Sequence, residues 1–195
     1  MAFGFVDEEV VAGQKPLRKA IYRATTDRDE RILFVAAAGN DGANSKEIMF
    51  PARHGLVIPV YGTDATGAFL EDLNPRIKRD GPAIFGTLAK DVPCSGRDDE
   101  TEMFATGTSF ATAIVAGFAG MLLEYAHLLA LRKEETGEVP NWRANLSTKG
   151  GMLAMFKQIA QDPPDRRYYL HPIHFLQQAE EYREAIVTVA AKNAM

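Results

Sequence analysis

Residues 108–131 constrain the fold more than any other stretch of this chain. They open on Thr108 and Ser109 and then pass through Ala111, Ala113, Ala116, Gly117, Ala119 and Gly120 with no proline among them. Such a run is predicted to be a single long helix. Each helical glycine costs about 1 kcal/mol relative to alanine, so the pair predicts a tightly enclosed helix, with neighbours close against its backbone, rather than a surface one. Hydroxyl residues at the mouth of a helix are ordinarily N-caps, and that reading stands beside any chemical one.

A second apolar run, Ile32 to Ala37, stops on Gly39 and Asn40. It is apolar on both faces, which suits a buried parallel strand better than an alternating antiparallel one. Residues 1–6 read as a short strand or its tail, and Asp7 to Gln14 as an acidic loop. Pro16 is well placed at a helix start, and Leu17, Ala20, Ile21 and Ala24 repeat at helical spacing. A helix between two such strands is a βαβ unit, and the fold class is α/β. Further strands are expected at Leu56 to Tyr61 and around Ala83 to Leu88. Glu134 to Lys149 reads as a polar connector, and Met152 to Ile159 and Pro172 to Ala191 as helices. In the second of these Leu176, Ala179, Arg183, Ile186 and Ala190 fall near one face.

Composition limits the partners. A formal charge of -4 over 195 residues offers no electrostatic attraction for nucleic acid or an anionic membrane. The apolar stretch Ile114 to Leu131 is interrupted by Gly117, Gly120, Glu124 and His127 and reads as no bilayer span. Asp7, Glu8 and Glu9 arrive before a signal peptide's apolar region could form. Cys94 is the only cysteine, so no internal disulfide is possible, which is compatible with an intracellular setting. Localisation itself is left open.

The chemistry suggested by the two apolar runs concerns their ends. In open α/β sheets, ligands bind beyond the carboxyl ends of the strands. Asn40 lies just past such an end, where an asparagine is ordinarily a turn residue. Ser109 lies at a helix N-terminus, where unpaired N–H groups and the helix dipole favour developing negative charge. A serine placed there can attack a carbonyl, and the oxyanion can be held by the Ser109 N–H and an amide donor such as Asn40.

Together the motifs resemble those of the subtilisin-like serine proteases. Gly107, Thr108, Ser109, Ala111 and Thr112 match the Gly-Thr-Ser-x-Ala-[Thr/Ser] motif of that family's nucleophile. Ala37, Ala38, Gly39 and Asn40 match its Ala-Ala-Gly-Asn oxyanion motif. "FPARHGLVIPV" is similar to the aromatic-Pro segment leading to a Val-Ile strand, and "TLAKDVPCS" to the strand that precedes the nucleophile. "MAFG" is similar to the strand that pairs with substrate backbone. The resemblance implies a partial three-layer α/β fold with a mostly parallel sheet, plus C-terminal helices. Residues 1–131 would be the C-terminal portion of a catalytic domain, and 132–195 a connector and helical extension. Ser109 would be the nucleophile, Asn40 the oxyanion-hole donor, and Phe3 and Gly4 substrate-binding. The implied substrate is a polypeptide, with no metal and no cofactor.

Two departures matter. Ala113 replaces the family's usual proline, at little expected cost in a first helical turn. More seriously, the family orders its triad Asp, His, Ser, and its Asp-x-Gly and His-Gly motifs are not found ahead of Asn40. The chain is therefore expected to need the missing N-terminal part of its domain and to be inactive alone. His54 precedes the Val-Ile strand rather than heading a helix, and reads as no general base. His127 reads as a packing or helix-face residue. His171 and His174, with Asp162 and Asp165, allow a rival α/β-hydrolase with its order Ser, Asp, His, although Ala111 and "DDETEMFAT" do not make the required strand-to-helix elbow. A metal site at His171 and His174 lacks a third ligand of recognisable spacing. A non-catalytic binding module of the same fold is the other alternative.

Overall fold

The structure, a computed structural model, describes residues 1, 2, 4, 14–27, 31–44, 47–76, 81–95, 102–134, 141–160, 163 and 165–194. In chain order its elements are α1 (Gln14–Thr26), β1 (Phe34–Ala37), β2 (Val57–Thr63), β3 (Ile84–Leu88), β4 (Val92–Ser95), β5 (Glu102–Ala105), α2 (Thr108–Glu134), α3 (Trp142–Leu146), α4 (Lys149–Ile159), β6 (Arg167–Tyr169), α5 (Pro172–Leu176) and α6 (Glu180–Asn193).

Four parallel strands in the order β1-β2-β3-β6 form the main sheet. Successive residues of a strand face opposite sides, and both sides here are covered. Val35, Ile58, Val60 and Phe85 belong to the core that contains α2. Ala36 and Val57 pack with Ile21 of α1 and with Phe50. The result is three layers, helix on sheet on helices, as the apolar character of both strand faces requires. Met1 extends the sheet past β1: its nitrogen donates to the Val35 carbonyl at 2.6 Å, and its carbonyl accepts from Ala37 N–H at 3.1 Å. The acidic stretch at 7–13 lies outside the described residues.

Helix α2 crosses one face of the sheet through Val115, Phe118, Ala119 and Leu122. An aromatic seam continues from it, with Phe118 stacked on Phe156 of α4 at 6.2 Å and Phe156 against Phe85 of β3 at 5.8 Å. Trp142, Leu146, Met152 and Val187 join the same core. The stretch read as a polar connector thus contains α3, whose apolar residues Trp142 and Leu146, four apart, are both buried. The helix expected over 172–191 is broken at residues 177–179, and Glu180 and Glu181 occupy the first turn of α6, where acidic groups suit the helix dipole. Ile186, Val187, Ala190 and Ala191 form its buried side, whereas Leu176 and Ala179 are exposed. Strand β6 was not anticipated. Only three residues long, it joins the sheet by pairing with β3, 83 residues before it for the Thr87 hydroxyl on the Leu170 carbonyl.

The glycine reading of α2 is overturned. Gly117 and Gly120 are exposed, and a Cβ added to either would meet nothing within 4 Å. Ala113 and Ala116 are exposed on the same face, at spacings of three and four. The bilayer reading also changes. By length and composition α2 is long and apolar enough to cross a membrane, with a hydropathy of 1.7 over 18 residues, of which 39% are buried. Glycine is not polar enough to interrupt such a run, and Glu124 is a single charge in it.

Candidate active site at the mouth of the central helix

The parallel strands bring their carboxyl ends to one edge of the molecule, and the two motifs meet there. After β1 the chain turns at Gly39, whose φ of +137° is a conformation that side-chain-bearing residues rarely adopt. The turn presents Asn40 to the first residue of α2. Gly107 is held at the end of β3 by its N–H on the Ala89 carbonyl at 2.9 Å, and α2 begins one residue later.

Asn40 and Thr108 are locked together. The Asn40 Oδ1 accepts from the Thr108 N–H at 2.9 Å and from the Thr108 hydroxyl at 2.7 Å. The same hydroxyl lies 3.3 Å from the Gly39 carbonyl. Thr108 is fully buried, so these donors need partners. One of the unpaired N–H groups that begin every α-helix is therefore capped by a side chain from another element. Because Oδ1 takes both bonds, the amide has one orientation, with Nδ2 as its donor end. Nδ2 runs past Gly107, 3.5 Å from where a Cβ there would sit, and Asn40 is exposed.

Ser109 follows as the second helical residue, with no carbonyl inside the helix for its N–H to bond. Its hydroxyl donates to the Ala2 carbonyl at 2.9 Å. Thr108 and Ser109 are the first two residues inside α2 rather than the residue before it, and both hydroxyls donate to groups distant in sequence. A peptide carbonyl cannot take up a proton at neutral pH, so this contact holds the hydroxyl in place without activating it. Gly4 lies against Met49, whose Cβ would be 2.6 Å from a Cβ added to the glycine. Phe3, named with Gly4 as substrate-binding, lies outside the described residues.

All four histidines are described, and they sit elsewhere. His54 precedes β2, and the seven residues of that strand, at about 3.3 Å each, put it roughly 20 Å from the carboxyl edge. Its Nδ1 accepts from the Leu56 N–H at 3.2 Å, as in a turn. His127 is 18 residues beyond Ser109 in α2, about 27 Å along the axis. His171 and His174 stack on each other at 4.5 Å just after β6, at the opposite edge of the sheet from β1. Asp165 is paired with Arg167 at 3.0 Å, and Asp162 lies outside the described residues. Among the described residues the Ser-Asp-His arrangement is therefore not assembled. Among the described residues no group of three or more His, Cys, Asp or Glu is placed to hold a metal ion.

The family model Peptidase_S8, the subtilase family, matches residues 1–150. The chain belongs to the subtilase family. No curated protein sequence matches it. Among solved structures this subtilase is similar to a serine-to-alanine mutant of the protease domain of PatA (20% identity, TM-score 0.61), covering 96% of this chain and 58% of that one. It is also similar to the prenylagaramide maturation protease PagA (22%, TM-score 0.61; 94% and 59%) and to the PatG macrocyclase in complex with peptide (17%, TM-score 0.58; 95% and 50%). The chain thus spans between half and three-fifths of the length of these neighbours.

Sequence reading singled out Asn40 and Ser109 for chemistry and gave Thr108 no task beyond that of an ordinary N-cap, although it directly precedes Ser109 in the nucleophile motif. The Ala2 carbonyl carried no signal, because any residue supplies one.

Proposed function

We propose that this subtilase carries the nucleophile and oxyanion half of a serine endopeptidase site acting on polypeptides through an acyl-enzyme. Ser109 Oγ attacks the scissile carbonyl carbon as its proton passes to a base. The carbonyl oxygen becomes an oxyanion held by Asn40 Nδ2–H and the Ser109 N–H, then reforms the carbonyl as the C–N bond breaks and the amine leaves with the proton returned by the base. Water repeats the sequence on the resulting ester. By the family resemblance, Phe3 and Gly4 flank the bound peptide. The orientation of the Asn40 amide, with its oxygen spent on Thr108 and its nitrogen available, is the observation that supports this reading most.

The base comes from a further segment of the subtilase fold, the missing N-terminal part of the domain. Two observations support a segment docking here. The solved neighbours are longer than this chain, and the open face of the first half of α2 carries small residues at Ala113, Ala116, Gly117 and Gly120, which admit a close helix. Residues 1–131 carry the proposed site, and 132–195 add helices and strand β6 that pack on the same core and sheet. Without its base the chain turns over negligibly, since loss of the base alone is nearly as damaging as loss of a whole triad.

A fluorophosphonate probe tests the proposal. Ser109 is expected to be labelled when the complementary segment is supplied and not when the chain is alone. Failure to label in either form would replace the protease reading with a non-catalytic module, which the Ser109 bond to a peptide carbonyl favours.

A further inference from the structure

β2 outruns β1. Val60 still receives the Ala38 N–H on its carbonyl, but β1 has turned away before the level of Gly62. Backbone groups two residues apart in a strand point to the same side, so the N–H and C=O of Gly62 face the space that β1 has left. Asn74 fills it. Its Oδ1 accepts from the Gly62 N–H at 2.7 Å and its Nδ2 donates to the Gly62 carbonyl at 2.7 Å. The side-chain amide thereby takes the place of the next peptide of β1, sharing the Gly62 carbonyl with the Leu70 N–H, which donates to it at 3.2 Å. It is 2% exposed, and Gly62 admits no side chain, because a Cβ would lie 2.7 Å from both Ala89 and Leu73.

The turn that carries Asn74 also holds the oxyanion loop. The Leu73 carbonyl accepts from the Gly42 N–H at 3.1 Å. Gly42, at φ +56°, sits so close that an added Cβ would be 2.2 Å from the Asp72 carbonyl oxygen. Two residues earlier in that loop is Asn40. A continuous run of bonds thus joins β2 to Asn74, the 72–73 backbone, Gly42 and the amide that meets Thr108.

We propose that Asn74 is a positioning residue for Asn40, setting the height of the oxyanion loop above the end of β1. Its bearing on catalysis rests on the reading of Asn40 as an oxyanion donor, but the positioning itself does not.

The test uses the full chain, labelled with nitrogen-15, and follows the Asn40 side-chain amide and Thr108 N–H signals. In Asn74→Ala both signals shift, and exchange at Gly62 and Gly42 quickens about tenfold or more, while amides of the α3–α4 core keep their protection. Asn74→Asp supplies the discriminating variant. A neutral carboxyl offers the same acceptor and donor as the amide, whereas the carboxylate has no donor for the Gly62 carbonyl. At low pH this variant shows the wild-type Asn40 signal, and as the carboxyl ionises the signal moves toward that of Asn74→Ala, with wild type titrated alongside. The variant also decides the matter if Asn74→Ala fails to fold. An Asn40 signal unmoved through that titration in a folded chain overturns the proposal. Should Asn40 move while Ser109 of the completed domain never accepts fluorophosphonate, the positioning stands and the protease reading falls.

Discussion

Asn40 and Thr108 stand 68 residues apart and share one oxygen: the Asn40 Oδ1 receives both the backbone N–H and the hydroxyl of Thr108. One side chain thus closes a helix and aims a donor. The two tasks belong to different atoms of the amide and are separable by substitution.

Asn40→Asp keeps the acceptor and places negative charge at a helix N-terminus, so stability is expected to hold or to rise by about 0.3–1 kcal/mol. Asn40→Ala strands the buried Thr108 N–H and leaves its hydroxyl only the Gly39 carbonyl at 3.3 Å, and is expected to cost about 1–3 kcal/mol. Urea midpoints measure both. In the completed domain each variant should lower the rate of peptide hydrolysis about 100- to 1,000-fold, the range known for removing the oxyanion asparagine of subtilisin. Equal stability losses in the two variants would show that Oδ1 is not the capping atom.

Ser109→Ala removes a half-buried hydroxyl whose partner, the Ala2 carbonyl, remains able to bond water. Stability should change by less than about 1 kcal/mol, and fluorophosphonate labelling of the completed domain should vanish. Residual labelling, located by peptide mass mapping, would identify another nucleophile.

Gly117→Ala and Gly120→Ala add methyl groups to an open helix face. In this chain each should raise stability by about 0.8–1 kcal/mol through helix propensity. If the complementary segment packs on that face, the same substitutions should weaken its association. Chain stability by urea titration and segment affinity by calorimetry then move in opposite directions. Gly62→Ala is the contrasting case, where the new methyl meets Ala89 and Leu73 and about 1–3 kcal/mol is lost.

Burial pushes the Tyr61 hydroxyl up to about 12 from its ordinary 10.0. A folded value above the unfolded one means the stabilising term is whole below about pH 10 and is lost as pH rises toward 12. The loss amounts to about 2–3 kcal/mol at about 1.4 kcal/mol for each unit. Alkaline unfolding should therefore accompany ionisation of this residue, read from phenolate absorbance, and Tyr61→Phe should remove that part of the pH dependence.

The histidines show why a motif search finds residues more readily than roles. His54-Gly55 has the composition of a catalytic motif, yet it stands at the amino end of β2, the wrong end of a parallel sheet. Its distance from Ser109 is set by strand length and direction rather than by residue type. Gly117 and Gly120 illustrate the opposite error. Their cost to a helix predicts a close neighbour, and the described fold leaves that side open.

Local pattern by itself determined the long helix expected over 108–131, the buried strands expected at 32–37 and 56–61, the α/β class and the subtilase resemblance. Each of these follows from side chains near one another in sequence and from the periodicity of a strand or helix. Tertiary structure alone decided that β6 completes the sheet, that Asn40 caps α2 with its oxygen, and that Asn74 replaces a departed strand. Those facts depend on hydrogen bonds between groups that only the folded chain brings together, and a backbone N–H or C=O awaiting a partner has no letter in the sequence.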